Sequence, residues 1–168
     1  MLHRGFTLIE LMITISIAAI LLTIAIPGMQ NIVIDNRMTT LSNELVTDLL
    51  VAKSEAVRRG VRVALCVRNT AGNACNPGGT WADGWIAFED NIPYGIINAG
   101  ETILKVHNAL PPGIVMTAPT IITYSPSGAL TPLALAKFNL YRTGFFGRNI
   151  VVSTTGRTTT TRTAAVCP

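Results

Sequence analysis

Residues 4–26 read RGFTLIELMITISIAAILLTIAI, and this segment is the most informative one in the chain. Its apolar part, residues 6–26, is 21 residues long and contains five polar side chains: Thr7, Glu10, Thr14, Ser16 and Thr23. The four hydroxyls can bond to carbonyls of their own helix. A helix of this length is about 31 Å long and matches a hydrocarbon core of about 30 Å. The segment therefore predicts a transmembrane helix.

The residues around this helix predict its orientation. Residues 1–5 precede it and carry the positive charge of Arg4, which favours a cytoplasmic N-terminus with the rest of the chain across the membrane. A cleaved secretory signal has a shorter apolar region, about 7–15 residues, and a small-residue cleavage site, which residues 25–28 match poorly. The alternative is an uncleaved anchor that holds a periplasmic enzyme.

Glu10 is the unusual residue of the helix. A carboxylate near the centre of a bilayer costs about 2.5–3.5 kcal/mol, and such a residue is a functional hypothesis by default. Its partner must be a cation or a hydrogen-bond donor, and no other residue of the apolar segment qualifies.

The order Arg4-Gly5-Phe6-Thr7-Leu8-Ile9-Glu10-Leu11 resembles the class III signal of type IV pilins and type II secretion pseudopilins. The resemblance implies cleavage after Gly5 by prepilin peptidase and N-methylation of the new N-terminal residue, Phe6. It also implies that Glu10 meets the N-terminal amine of a neighbouring subunit. The expected partners are therefore that peptidase and methyltransferase, and other pilin or pseudopilin subunits.

A second helical pattern follows Pro27-Gly28, which is expected to end or kink the first helix. Its apolar side chains recur at spacings of three and four and form one stripe. The stripe consists of Leu41, Leu45, Leu49, Ala52 and Ala56. Glu55 and Arg59 form an i,i+4 pair, and Gly60 is the expected stop. The resemblance to pilins favours one long helix over two separate helices.

After Gly60 the period changes to two. Residues 61–68 alternate apolar and polar side chains, as in a half-buried strand. Further β-rich runs cover residues 85–89, 102–106, 121–124, 136–141, 149–153 and 158–163. No long helix recurs, so the sheet is expected to be mainly antiparallel. The predicted fold class is α+β, with the long helix packed on a β-rich domain.

The predicted segments are a leader at residues 1–5, a transmembrane and assembly helix at 6–27, an amphipathic half at 28–60 and a β-rich domain at 61–168. Several of their motifs are similar to those of the GspH/FimT branch of pilin-like proteins. They include Gly84-Trp85-Ile86-Ala87-Phe88, Ser125-Pro126-Ser127-Gly128 and Gly156-Arg157. The resemblance implies a minor pilin of a type IV pilus, in the inner membrane and then in the fibre. The alternative is a GspH-like minor pseudopilin of type II secretion.

The three cysteines are Cys66, Cys75 and Cys167. A compartment beyond the inner membrane permits disulfides. Cys66 and Cys75 enclose a short loop, and their pairing is the favoured prediction. Pairing of Cys167 with either of them remains open, since spacing does not fix connectivity.

Catalytic motifs are missing from the sequence. It contains no G-x-S-x-G, no H-E-x-x-H and no Gly-rich phosphate loop, and it has no C-x-x-C for a metal. His107 is interpreted as an ordinary histidine. Asp83, Glu89 and Asp90 are interpreted as loop-shaping residues, and Trp81, Trp85 and Phe88 as core aromatics. We expect no enzyme activity, no cofactor and no metal site.

Charge is both scarce and unevenly distributed. Charged residues make up 13% of the chain and hydrophobic residues 49%, whereas a typical domain is about 25% charged. This composition excludes a disordered chain. Six cations and no carboxylate follow Glu101. A stretch of one sign attracts nucleic acid phosphates.

The candidate DNA-binding residues are Arg142, Arg148, Arg157 and Arg162, which are expected on one edge of the sheet. Phe145-Phe146 would lie near them. The alternative is that spaced arginines only solvate a sheet face. Some FimT-like proteins resemble DNA receptors for natural transformation, with a C-terminal Gly-Arg-x-Arg or Gly-Arg-x-Lys element. This chain matches it only at Gly156-Arg157, because position 159 is Thr.

Overall fold

The computed structural model describes residues 6–165. Its first element is a helix of 52 residues, α1, which spans Leu8–Arg59. Contacts divide the chain into two compact units, Met1–Arg37 and Met38–Pro168, which are described separately.

In the first unit, hydroxyl side chains bond to the helix that carries them. Thr7 precedes the helix, and its Oγ1 accepts a hydrogen bond from the backbone N–H of Glu10 at 3.3 Å, as an N-cap residue does. The hydroxyls of Thr14, Ser16 and Thr23 each donate to a carbonyl three or four residues earlier. Three of the four hydroxyls thus bond as the sequence predicts, and the fourth caps the helix.

Helix α1 continues through Pro27-Gly28, so the expectation of one long helix is confirmed and an end of the helix at these residues is wrong. The predicted membrane span is not confirmed. Within residues 6–165, no helix combines the length and the hydropathy required to cross a bilayer.

In the second unit, α1 contributes the predicted apolar stripe to the core. All five predicted residues are buried, and Met38 extends the stripe by one turn. Two polar residues, Ser42 and Asp48, are buried on the same side of the helix. The predicted Glu55–Arg59 pair is present with an N–O distance of 2.5 Å, and Arg58 also binds Glu55.

The strands form two antiparallel sheets of four strands each. The first sheet has the order β3-β2-β1-β5, where β1 is Val63–Val67, β2 is Trp85–Glu89, β3 is Ile103–His107 and β5 is Ile121–Tyr124. The second sheet has the order β4-β6-β7-β8, where β4 is Val115–Thr117, β6 is Ala136–Tyr141, β7 is Phe146–Val152 and β8 is Thr158–Ala165. A short 3-10 helix, Trp81–Asp83, precedes β2.

Strand β1 corrects the expectation of a half-buried strand, because all five of its residues are buried. Its neighbour Trp85 on β2 bonds to α1, so one face of the sheet lies against the helix. The opposite face forms its own apolar cluster of Ala64, Cys66, Ile86 and Phe88. Cys75, Ile97 and Ile121 pack on that cluster from loops and from β5. Strands β1 and β2 are therefore covered on both sides, whereas β3 at the edge of the sheet is largely exposed.

The second sheet keeps the alternation that the sequence predicts. On β6 the buried residues Ala136, Phe138 and Leu140 alternate with the more exposed Lys137, Asn139 and Tyr141. One face of this sheet therefore belongs to the core and the other is open.

Candidate functional site

The residues predicted for processing and assembly lie at the start of the chain. Gly5 lies outside the described residues, as do the leader's other residues. Phe6 is 82% exposed, and Glu10 is exposed on the first turn of α1. Large apolar side chains around Glu10 are also exposed, including Leu8, Ile9 and Leu11. Residues 6–23 thus form an exposed apolar segment that carries one carboxylate.

Cys66 and Cys75 form a disulfide. Cys66 belongs to the apolar cluster on the first sheet and Cys75 packs against it, so the bond fixes the 67–74 loop over that face. The backbone of the loop returns at Arg68, which pairs with Cys75 in an isolated antiparallel bridge. Cys167 lies outside the described residues.

A polar cluster, which sequence reasoning missed, joins α1 to the first sheet. The indole N–H of Trp85 donates to Asp48 Oδ2 at 2.9 Å, and Lys105 forms an ion pair with Asp48 Oδ1. His107 stacks on Trp85 with ring centroids 3.8 Å apart, and its Nε2 lies 3.2 Å from Glu44 Oε2. We call these five residues the helix–sheet clasp. The only signal in the sequence is Asp48, a carboxylate beside the apolar stripe.

The other predicted loop residues also have structural partners. Asp83 accepts hydrogen bonds from the N–H and the hydroxyl of Thr80, which lower the pKa of its carboxyl. Glu89 pairs with Arg59 at the end of α1. Asp90 is buried, accepts from the N–H of Gly95 at 2.6 Å and lies 3.4 Å from Arg62. Asp83 and Asp90 thus hold loops in place, as predicted, whereas Glu89 belongs to strand β2 and connects it to the end of α1.

Glu101 fixes the loop that connects β2 to β3. Its carboxylate accepts from the backbone N–H groups of Asn91 and Asn98 at 2.7 Å, and from the side-chain amide of Asn98 at 2.9 Å. Partial desolvation acts to raise the pKa of Glu101, but these hydrogen bonds outweigh it and the pKa is lowered. Across residues 6–165, His, Cys, Asp and Glu side chains form no group of three that could hold a metal ion.

The four candidate arginines do not converge on one edge, so that prediction is wrong. Arg148 is 8% exposed and donates to Thr39 Oγ1 at 2.9 Å and to the Gly147 carbonyl at 3.1 Å. It alternates with Ile150 and Val152 on the core side of β7, which removes it from a ligand surface.

Arg157 is exposed in the β7–β8 turn, at the opposite end of β7 from Arg142. Seven residues of β7 separate the two ends by roughly 20 Å. The neighbouring Gly156 has a φ of +73° and is buried against the Gly128 carbonyl, so the Gly156-Arg157 pair combines a packed glycine with an exposed cation.

Arg142 and Arg162 lie at the same end of the second sheet, each over an aromatic ring. The Arg162 guanidinium lies 4.0 Å from the Phe146 ring centroid, and that of Arg142 lies 5.6 Å from the Phe145 centroid. Phe146 is 48% exposed. We call these four residues the arginine–phenylalanine end. It offers two cations and an accessible aromatic surface in one place.

Two family models match the sequence. The model described as Type II transport protein GspH matches residues 41–156. The model described as Prokaryotic N-terminal methylation motif matches residues 1–26. No curated protein matches the sequence significantly.

Two solved structures share the fold. The type IV minor pilin FimU of Pseudomonas aeruginosa PAO1 is 20% identical, with a TM-score of 0.56 over 74% of this chain and 88% of FimU. The minor pseudopilin EpsH of the Vibrio cholerae Type 2 Secretion System is 10% identical, with a TM-score of 0.54 over 74% of this chain and 96% of EpsH. At these identities the likeness concerns the fold.

A long N-terminal helix that leads into antiparallel sheets, preceded by a methylation motif, defines a pilin-like subunit. The chain belongs to the GspH family, whose model covers more than half of its length. It is thus a minor pilin or pseudopilin of the type IV and type II systems, and a structural protein rather than an enzyme.

Proposed function

We propose that this chain is a minor pilin of a type IV pilus. In this proposal, prepilin peptidase cleaves after Gly5, Phe6 becomes the methylated N-terminus, and the chain passes from the inner membrane, with its C-terminal domain in the periplasm, into the fibre at or near the tip. The observation that carries the proposal is Glu10, the single carboxylate among the exposed residues 6–23, within the stretch that the methylation-motif model matches.

The chemistry of the helix supports this role. Cleavage creates an α-amine, whose ordinary pKa is near 7.7–8.0, and a charged amine attracts a carboxylate strongly where water is scarce. Glu10 would therefore select and align a neighbouring subunit. The exposed apolar side chains of the first unit would be covered by equivalent helices in the fibre.

Mass spectrometry of the chain purified from its own cells tests the processing step. We expect a mature chain that begins with N-methylated Phe6. A Gly5→Val variant should retain residues 1–5, whereas Glu10→Ala should be cleaved but fail to enter sheared fibres. An N-terminus at any other residue would contradict the proposal.

A second candidate is a minor pseudopilin of type II secretion. The family model described as Type II transport protein GspH favours it. Deletion of the gene discriminates between the two: a pilin mutant loses surface fibres, whereas a pseudopilin mutant accumulates exported proteins in the periplasm.

DNA binding in natural transformation is a third proposal, and Arg142 and Arg162 are the residues that would carry it. The arginine–phenylalanine end supports it, because cations beside an accessible aromatic ring suit both phosphates and bases. The affinity of the detergent-solubilised full chain for duplex DNA should fall with salt. Each lost phosphate contact should reduce the slope of log K against log salt by about 0.9.

The variants for this test are Arg142→Gln and Arg162→Gln. The matched control is Arg58→Gln, an exposed arginine of α1 that does not belong to the arginine–phenylalanine end. A flat salt response, or equal losses in all three variants, would reject DNA binding.

A further inference from the structure

The open face of the second sheet carries a regular array of neutral polar side chains. Residues paired across antiparallel strands project to the same face. One row of this face crosses all four strands and consists of Thr117, Asn139, Asn149 and Thr161. The adjoining positions on that face are Val115, Tyr141, Gly147 and Thr163 on one side and Lys137, Val151 and Thr159 on the other. We call these eleven residues the open face.

The open face is accessible. Asn139, Thr159 and Thr161 are exposed, and Asn149 is half-buried. Asn139 Nδ2 donates to Thr117 Oγ1 at 3.2 Å, so the row is linked within itself and still has free donor and acceptor capacity at both amides. At about 4.8 Å between strands, the row is about 14 Å long.

The charge and polarity of the open face indicate which chemical class of ligand it could bind. It contains one cation, Lys137 at its corner, and no carboxylate, so it complements neither a polyanion nor a polycation. Its apolar groups are two valines and the ring of Tyr141, and none of them lies in the central row, whereas protein interfaces place their aromatic and aliphatic anchors at the centre. The ligand that matches hydroxyl and amide groups without charge is a neutral polyhydroxylated chain.

Tyr141 adds an aromatic residue to this array. It lies beside Gly147, where a Cβ would be 2.7 Å from Thr163 Oγ1 and 3.5 Å from Tyr141 Cβ. Because residue 147 has no side chain, a shallow depression lies between Tyr141 and Thr163. An amphipathic ring next to hydroxyls suits the apolar and polar sides of a sugar ring.

We propose that the open face is a binding surface for a neutral glycan chain. Hydroxyl groups of the sugar would exchange hydrogen bonds with the row of Thr117, Asn139, Asn149 and Thr161, and Tyr141 would contact a ring at one end. This surface shares no residue with the arginine–phenylalanine end, which adjoins it at Tyr141, Gly147 and Thr163. The proposal does not depend on DNA binding or on the type of fibre.

Calorimetric titration of the full chain tests this proposal, in a detergent without a sugar headgroup. The probes are hexamers of β-1,4-linked glucose and of β-1,4-linked N-acetylglucosamine, with heparin as the charged comparison. We expect at least one neutral hexamer to bind with an affinity that does not change with salt, whereas heparin bound at the arginine–phenylalanine end should be released as the salt concentration rises. Binding of heparin alone, or no binding at millimolar concentration, would overturn the proposal.

A matched pair of threonines on β8 locates the surface. Thr161 belongs to the open face, whereas its neighbour Thr160 is exposed on the other side of the strand. Thr161→Ala should weaken binding about two- to tenfold, the value of one hydrogen bond, and Thr160→Ala should leave it unchanged. The double variant Asn149→Ala with Thr161→Ala should lose at least tenfold.

Each variant is checked for an unchanged thermal midpoint before titration. Equal effects of Thr160→Ala and Thr161→Ala would overturn the location of the site. The proposal would also fail if the double variant abolished copurification of another subunit while glycan binding remained, since the open face would then be a protein interface.

Discussion

At the scale of single residues, Gly156 shows how little space separates two turns of the second unit. A Cβ at this position would lie 2.2 Å from the Gly128 carbonyl oxygen and 3.1 Å from the Tyr124 ring, and φ is +73°. Lys53 of α1 donates to the carbonyls of Thr155 and Gly156, both at 3.1 Å. The glycine therefore lets the helix and two turns meet.

The first prediction follows from this geometry. Gly156→Ala should lower the free energy of unfolding by about 3 kcal/mol or more, because a strained backbone and a backbone clash act together. Gly100→Ala is the matched control, since Gly100 has a φ of +89° and a Cβ added there would meet no atom within 4 Å. It should cost about 1 kcal/mol. Equal losses in urea unfolding would contradict the account.

A second residue-scale prediction concerns Tyr124, which is fully buried. Burial raises the pKa of its hydroxyl to about 12, partly opposed by the Thr158 hydroxyl. The folded state holds the phenolic proton more tightly than the unfolded chain, whose pKa is near 10. The resulting stability is present below pH 10 and is lost as the pH rises towards 12, an effect of about 2–3 kcal/mol.

Tyr124→Phe tests this by removing the titrating group. The free energy of unfolding, measured between pH 9 and pH 11.5, should decline less steeply in the variant than in the parent chain. The exposed Tyr94 supplies the control, because Tyr94→Phe should leave the slope unchanged. Parallel slopes for the parent and Tyr124→Phe would contradict the prediction.

At the scale of elements, the helix–sheet clasp connects α1 to β2 and β3. Asp48 is 1% exposed and holds two donors, the Trp85 indole and the Lys105 ammonium. Removal of a partner from a buried charge is costly, even where the ion pair itself contributes little net stability. The clasp thus contributes chiefly by fixing which part of the helix faces the sheet.

Lys105→Gln should therefore lower the free energy of unfolding by about 1–3 kcal/mol, because it leaves the Asp48 carboxylate without its cation. Asp48→Asn in the same chain should recover part of the loss. Lys137→Gln, an exposed lysine on the other sheet, should change stability by less than about 0.5 kcal/mol. The prediction fails if the single and double variants unfold identically in urea.

The elements also show how far local pattern predicts this molecule. The stripe on α1 and strand β6 follow the apolar period, so the sequence alone predicts their buried residues correctly. Strand β1 does not follow this period, because loops pack on its second face and the residues of the strand itself do not indicate that contact. Strand β4, three residues long after Pro111-Pro112-Gly113, is too short for a period to indicate it.

The candidate site could not be predicted fully for the same reason: the local sequence does not show which face of a strand will be buried. Charge counting selects Arg142 and Arg162, which lie at the same end of the second sheet, but it does not distinguish them from the buried Arg148. Arg148 occupies an inward position of β7, where pairing with Leu140 and the Thr39 hydroxyl replace solvent. Which face an arginine occupies depends on strand register, and register is a property of the assembled sheet.

At the scale of the whole molecule, removal of the Cys66–Cys75 disulfide would show which parts of the second unit depend on it for stability. The bond closes a loop of eight intervening residues over the outer face of the first sheet. The main core lies elsewhere, between α1 and the inward faces of the two sheets, and contains most of the largest buried side chains. The disulfide therefore restrains a peripheral loop, while the core determines whether the unit folds.

Cys66→Ala with Cys75→Ala should accordingly leave a cooperatively folded protein with a lower free energy of unfolding. Closure of so short a loop is worth about 2–3 kcal/mol in the chain-entropy model, which corresponds to a fall of about 10 °C in thermal midpoint. Amide hydrogen exchange supplies the spatial control, since protection should fall most in residues 67–76 and least in Leu45 and Leu49. Uniform loss of protection, or failure to fold, would show instead that the loop and the core form one cooperative structure.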